Sequence, residues 1–193
     1  MTPKFWWYAT RSTGLVAWGV AAASILLGLV LSTRSAKGLL RPAWTLDLHR
    51  FLGALAVAAT LAHLATLVAD SYVHFGAADL LVPGATDYHT GAVALGIVAF
   101  WLLLLVEVSS LAKKRLSRRT WASIHLTSYA VYALATAHYL QVGTERTNAA
   151  VLLVVQLTSG AVLFFTVLRI LVTRGPAGRP ARGRDRELAG SRE

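Results

Sequence analysis

Five apolar runs, each about as long as the hydrocarbon core of a bilayer is thick, constrain this chain more than any other feature. They cover 14–31, about 48–68, 91 to about 108, about 123–140, and 149 to about 172. An α-helix needs roughly 20 apolar residues to cross a membrane. In a chain of 193 residues with only 15% charged side chains, five such runs exclude a soluble enzyme. They predict an all-α membrane protein, a five-helix transmembrane bundle in a lipid bilayer.

The basic residues predict how this bundle is oriented. Most of the 19 Lys and Arg residues lie in the first loop, the third loop and the segment from 169 onward. The positive-inside rule makes these segments cytoplasmic and puts the N-terminus outside. We therefore expect a bacterial plasma membrane protein with a cytoplasmic C-terminus. Because the positive charge is confined to loops and a tail, we do not expect a nucleic-acid partner.

Three segments follow from this topology: an exterior N-terminal segment at 1–13, a transmembrane domain at 14–172, and a cytoplasmic tail at 173–193. The tail is rich in Gly, Pro and Arg without apolar periodicity, which predicts disorder. The sequence contains no Cys, which excludes a disulfide framework, an iron–sulfur cluster and a thiolate nucleophile. No side chain is predicted to be catalytic.

Four of the six His residues lie in the second and fourth apolar runs. His49 and His63 are in the second run, and His125 and His138 are in the fourth. Ionisable groups at membrane depth are costly, so each is a candidate functional residue. A single intramembrane His is well explained as a neutral imidazole bonded to a neighbouring helix. Two matched pairs indicate a shared function.

The spacing within each run creates two levels. His49 and His63 are 14 residues apart, and His125 and His138 are 13 apart, which is about 20 Å along a helix. Both helices run outward, so the first members form an inner pair and the second members an outer pair. Two opposed imidazoles suit a six-coordinate haem iron, whereas zinc needs three or four ligands close together. The arithmetic therefore favours haem.

One geometric problem accompanies this prediction. On an ideal helix a step of 14 residues returns to within about 40° of the starting face, but a step of 13 leaves the second side chain about 140° away. Helix four cannot be ideal if both of its His side chains face helix two. Local tightening, a kink or different ring approaches are all compatible with the sequence.

The segments around the first His of each pair carry a family resemblance. The second run opens with LHRFLG and the fourth with WASIHLTSYA, followed by His-x13-His and His-x12-His spacings. From about residue 11 to 171 the sequence resembles the ferric reductase-like transmembrane domain of ferric reductases, NADPH oxidases and the haem-binding subunit of bacterial methionine-sulfoxide reductase systems. This resemblance implies two stacked b-type haems between helices two and four. It implies that His49 and His125 ligate the inner haem, and His63 and His138 the outer haem.

The sequence also departs from that family. Many relatives have six membrane helices, and many continue into a cytoplasmic flavin and nicotinamide-binding module. Here about twenty residues follow the last apolar run. We therefore expect a separate flavoprotein or a quinone as electron donor, and an exterior electron acceptor.

Several other residues are candidates for the site. Arg50, beside His49, is positioned to bind a haem propionate, and contact with lipid headgroups explains it equally well. Trp44 and Trp121 precede His49 and His125, although a place in the interfacial aromatic belt explains both better. An exterior ferric site is conceivable in the second loop, but a solvated polar loop accounts more readily for Asp70, Tyr72, His74, Asp79, Asp87, Tyr88 and His89.

These observations predict a transmembrane b-type cytochrome that passes electrons from a cytoplasmic-side donor through two haems to an exterior acceptor. Its role would be that of an oxidoreductase electron-transfer subunit. A first alternative is a haem subunit serving a periplasmic reductase such as a methionine-sulfoxide reductase. A His-lined metal-ion transporter is a second alternative, although the spans offer almost no acidic residues to line a pathway. The third is a membrane assembly or anchoring protein.

Overall fold

The computed structural model describes residues 3–33, 41–70 and 73–174. Over these ranges the chain is helical and contains no strand. A 3-10 turn, Lys113–Arg115, precedes the fifth of seven α-helices in the described ranges. These are α1 (Pro3–Thr33), α2 (Pro42–Ala69), α3 (Ala77–Leu81), α4 (Thr90–Leu111), α5 (Arg118–Leu126), α6 (Ser128–Val142) and α7 (Ala149–Arg174).

Four of these helices, α1, α2, α4 and α7, are long and apolar enough to cross a membrane. They match the first, second, third and fifth predicted runs, so the multi-pass, all-helical architecture is confirmed to that extent. Helix α1 begins at Pro3, earlier than the predicted run. Proline is tolerated in the first turn of a helix, where its missing N–H is not needed. Most of the predicted tail, residues 175–193, lies outside the described residues.

The fourth predicted run is divided between α5 and α6, which meet at Thr127. The Thr127 N–H donates to the Ile124 carbonyl at 2.9 Å, a bond across three residues as in a 3-10 helix. Its hydroxyl donates to the same carbonyl at 2.7 Å, so side chain and backbone share one acceptor. Neither helix alone has the length of a span. The break falls between His125 and His138, where the 13-residue spacing requires a departure from ideal geometry.

Helices α1 and α2 form an antiparallel hairpin. The Thr13 and Thr66 hydroxyls are hydrogen-bonded across it at 3.2 Å. Helix α4 packs antiparallel to α6 in the same way and also contacts α5. Each His-bearing segment therefore lies against an antiparallel partner that precedes it in the chain.

The buried core lies between α1, α6 and α7. Trp18 of α1 donates its Nε1–H to the Thr136 hydroxyl at 2.9 Å, and the Tyr132 and Ser159 hydroxyls are 2.9 Å apart. Buried apolar side chains from α1 and α7 complete it: Ala22, Ile25, Leu29, Val155 and Val162.

Helix α2 lies outside this core. In the described residues it packs mainly against α1 and less closely against α4, while α6 is not among its close backbone neighbours. Only 6% of its most apolar stretch is buried. The separation of α2 from α6 leaves space between His63 of α2 and His138 of α6.

Candidate functional site

One cavity of about 450 Å³ is lined by His63 of α2 and His138 of α6, which are the second His of each His-bearing segment. We call them the second pair. This volume is typical of a small-molecule or cofactor pocket. Most of the lining is apolar, including Leu15 and Phe100. An imidazole therefore enters an apolar space from each of two helices.

Part of the cavity lining is polar and charged. Arg11 of α1 forms an ion pair with Glu145, which follows α6, and both side chains line the cavity. The guanidinium also lies over the Trp7 ring, 4.1 Å from its centroid. This arrangement joins α1 to the α6–α7 loop beside the second pair.

The other two His side chains, His49 of α2 and His125 of α5, form the first pair. Their ring centroids are 6.0 Å apart, with an interplanar angle of 75°. Two imidazoles on opposite sides of one metal ion, each with a metal–nitrogen bond of about 2 Å, have centroids roughly 6 Å apart. The spacing of this pair therefore fits a shared metal ion.

Three of the four imidazoles are held by a backbone carbonyl of the partner helix. Their Nδ1 atoms lie 2.7–3.0 Å from the carbonyl oxygens, in the pairs His49 and Ser24, His63 and Thr10, and His138 and Ala92. A carbonyl can only accept, so Nδ1 carries the proton and donates it. In a neutral imidazole this leaves the lone pair on Nε2. Ligating His residues are commonly held in this way by the ring nitrogen that does not bind the metal.

A glycine follows each of these carbonyls by four residues: Gly28, Gly14 and Gly96. A Cβ there would lie 3.1 Å from His49 Cε1, 3.0 Å from His63 Cε1 and 2.9 Å from His138 Nδ1, respectively. In an α-helix the carbonyl of residue i already accepts from the N–H of residue i+4. A second donor must approach beside residue i+4, so glycine there makes room for the ring. We call each carbonyl with its glycine a cradle.

Gly14 and Gly96 are absent from the predicted site residues, although α1 carries a signal for the cradles. Gly14 and Gly28 are 14 residues apart, the same distance as His49 and His63. On an antiparallel partner helix this equal spacing puts one glycine opposite each His.

His125 is the exception. Its Nδ1 is buried and has no hydrogen-bond partner among the described residues. The same step of 13 residues that leads from His138 back to His125 leads from Gly96 to Ser109 in the antiparallel α4. Ser109 is buried and its hydroxyl donates to the Val106 carbonyl at 2.9 Å. The position that would complete a fourth cradle thus carries a side chain.

The Trp121 indole covers the His125 ring instead. Their centroids are 4.9 Å apart and their planes differ by 21°. The Lys113 ammonium lies 4.0 Å from the centroid of the Trp121 ring, on the 3-10 turn that precedes α5. Lysine, indole and imidazole therefore form a continuous stack beside the first pair.

Of the remaining predicted residues, Asp70 and Tyr88 line the cavity of the second pair. Arg50 is exposed, and its Nη1 lies 3.4 Å from the Asp47 carboxylate. In the second loop Tyr72 lies outside the described residues, and the described part of the chain contains no group of three or more potential metal-ligating side chains. The structure thus pairs the four His side chains and leaves Arg50 at the surface.

Comparison of the chain with protein-family models, with curated proteins and with solved structures found no match. The resemblance to the ferric reductase-like domain stays a prediction. The interpretation of the site depends on its own residues.

Proposed function

We propose that this chain is a transmembrane b-type cytochrome. His49 and His125 would hold one haem, and His63 and His138 a second. The observation that carries this proposal is the set of three cradles, which leave an Nε2 lone pair on each of three neutral imidazoles. When bound, haem supplies an iron centre that accepts and releases one electron at a time.

The described residues fit such a group at both levels. Each level offers two imidazoles from different helices, which is the ligand number of a six-coordinate haem iron. At the second pair they reach a cavity of about 450 Å³ with a mostly apolar lining that includes one basic side chain, Arg11. A packing role would account for one carbonyl-bonded His, but not for paired rings, matched glycines and a shared cavity.

The tasks of the chain itself follow from these contacts. The cradles fix the tautomer and the ring planes of three imidazoles. The apolar walls exclude water and lower the local dielectric constant, which influences the reduction potential of a bound metal centre. The separation of α2 from α6 would leave room for a flat macrocycle between His63 and His138.

We propose that α5 and α6 together cross the membrane as a fifth, broken span. From Arg118 to Val142 they would extend about 37 Å at 1.5 Å per residue. The exposed basic residues of the 3-10 turn and the start of α5 would face the cytoplasm of a bacterial cell. The first pair is then the inner one, and the second pair is the outer one.

We propose that electrons pass from the inner site to the outer site. A separate flavoprotein or a quinone would reduce the inner site, and an exterior acceptor would oxidise the outer site. Ferric ion and a periplasmic reductase, such as a methionine-sulfoxide reductase, are the two acceptors that the resemblance implies. The chain would act as an electron-transfer subunit.

Haem stoichiometry tests this proposal. The haem-to-protein ratio of purified protein, measured as the pyridine haemochrome, should be two for the wild type and one for His63→Ala. His74→Ala is the matched control, because His74 is an exposed loop residue and its loss should leave the ratio at two. A colourless wild-type protein, produced with ample haem supply, would refute the proposal. Metal transport that depends on the four His residues in such a protein would favour the transporter alternative.

A further inference from the structure

The four imidazoles are not held alike, and the exception defines a second feature of the site. His49, His63 and His138 each donate to a carbonyl, whereas the buried Nδ1 of His125 has no partner among the described residues. A ligand ring needs a defined plane as well as a defined position. Another contact must therefore fix the His125 ring.

The Trp121 indole makes that contact. It lies four residues before His125 on α5, a spacing that brings two side chains to the same face of a helix. The two rings are nearly parallel, with a 21° angle and 4.9 Å between centroids. The Lys113 ammonium covers the indole at 4.0 Å, an attractive cation–π geometry. The stack therefore holds the imidazole plane from one side.

We infer that Trp121 is the positioning residue of the first pair. Resting on the proposed function, this inference assigns Trp121 the task of presenting His125 Nε2 to the haem iron. The indole fixes the ring plane by stacking, in place of the cradle that Ser109 prevents. This role would go beyond the place in the interfacial belt that the sequence favoured for Trp121.

Stacking and a cradle affect the metal differently. An N–H that donates to a carbonyl makes the imidazole a stronger electron donor to the iron. His125 has no such acceptor in the described residues, so the first site depends more on its stacked neighbours. The reduction potential of the first site should therefore respond to changes at Trp121 and Lys113, while that of the second site should not.

Trp44 provides a matched control. It lies in the first turn of α2, five residues before His49, and its side chain is 58% exposed. Trp44 fits the role of an aromatic-belt residue near the first pair. Its replacement removes an indole at the same end of the bundle without removing the stack.

The test compares wild type, Trp121→Leu, Trp121→Phe and Trp44→Leu. The readouts are the haem-to-protein ratio, the low-spin signals in electron paramagnetic resonance, and a potentiometric titration. Trp121→Leu should lose one of two low-spin signals and at least half of the first-site haem, with the second-site potential unchanged. Trp121→Phe, which keeps an aromatic face, should retain two haems with a shifted first-site potential. Trp44→Leu should match wild type.

The retained second-site haem also shows that the variant has folded. Lys113→Gln should retain two haems and lower the first-site potential, because a nearby positive charge favours the reduced form. If Trp121→Leu cannot be purified, the first-site reduction potentials of Trp121→Phe and Lys113→Gln test the inference. An unchanged first-site potential in both variants would overturn it. A Trp121→Leu protein that matches Trp44→Leu in signals and potentials would also overturn it. A wild type without haem would instead overturn the proposed function.

Discussion

The first and second pairs are built from the same residue type on the same two segments, yet the surrounding helices hold them differently. Both rings of the second pair donate to carbonyls and line a cavity. In the first pair His49 has a cradle and His125 is stacked on Trp121. A cradle depends on the backbone of a neighbouring helix, whereas a stack depends on one side chain. Replacing neighbouring side chains should therefore affect the second pair little, whereas adding a Cβ at a cradle glycine should affect it most.

The largest effect is expected at Gly96. In Gly96→Val the new Cβ would lie 2.9 Å from His138 Nδ1 and force the ring away from the Ala92 carbonyl. We expect roughly a 100-fold loss of haem affinity at the second pair, and the haemochrome ratio should fall from two to one. Gly19→Val is the control, because no atom lies within 4 Å of the added Cβ. Two tightly bound haems in Gly96→Val would show that the cradle is dispensable.

A smaller effect is expected at Gly28, in the cradle of the first pair. A Cβ in Gly28→Ala would lie 3.1 Å from His49 Cε1, so a shift of a few tenths of an ångström relieves the contact. The weakened bond to Ser24 should reduce first-site haem affinity by about 10-fold, measured by haem titration of the apoprotein. Gly160→Ala, with open space around the added Cβ, should bind as wild type. Equal affinities in the two variants would argue against this cradle.

Trp18→Phe should destabilise the bundle as a whole, because Trp18 joins α1 to α6 in the buried core. The change deletes the hydrogen bond to Thr136 and should reduce the free energy of unfolding by about 1 kcal/mol. Unfolding in detergent, followed by circular dichroism, measures this loss. Thr136→Val alone and the double variant complete the cycle. Strict additivity would mean that the bond contributes nothing to stability.

The smallest effect is expected at the ion pair between Arg11 and Glu145. Its side chains are 21% and 26% exposed, so Arg11→Met should cost about 1 kcal/mol of stability or less at low salt. High salt should reduce the difference. The pair of Arg50 and Asp47 is 66% and 73% exposed, and Arg50→Met should leave stability unchanged. A larger loss of stability in Arg50→Met than in Arg11→Met would contradict the expectation that the less exposed ion pair contributes more.

The sequence predicted the features that the membrane solvent imposes. A span must be long, apolar and helical to satisfy its own backbone in lipid, so four predicted runs match α1, α2, α4 and α7. The spacing along the chain also predicted the pairing of the His residues, and the ring centroids of His49 and His125 lie 6.0 Å apart at an interplanar angle of 75°.

What the sequence did not predict depends on which helices are neighbours. A cradle joins a His to a carbonyl on another helix, so Gly96 acquires a role only once α4 is known to lie against α6. At the break, the Thr127 hydroxyl donates to the Ile124 carbonyl. Thr60 makes the same kind of bond, to the Ala56 carbonyl, inside the continuous helix α2, so the presence of a Thr does not by itself predict a break. The sequence favoured an interfacial-belt role for Trp121, and the structure stacks its ring on His125, four residues later in α5.

The break at Thr127 separates the helix that carries His125 from the helix that carries His138. Helix α2 is continuous from Pro42 to Ala69, so inserting one residue between His49 and His63 would turn one ring relative to the other by about 100°. The α5–α6 joint can absorb such a twist locally. An insertion between His49 and His63 should therefore misplace one of these two rings. An insertion at the α5–α6 joint should instead change the orientation of the His125 ring and leave the His138 ring in place.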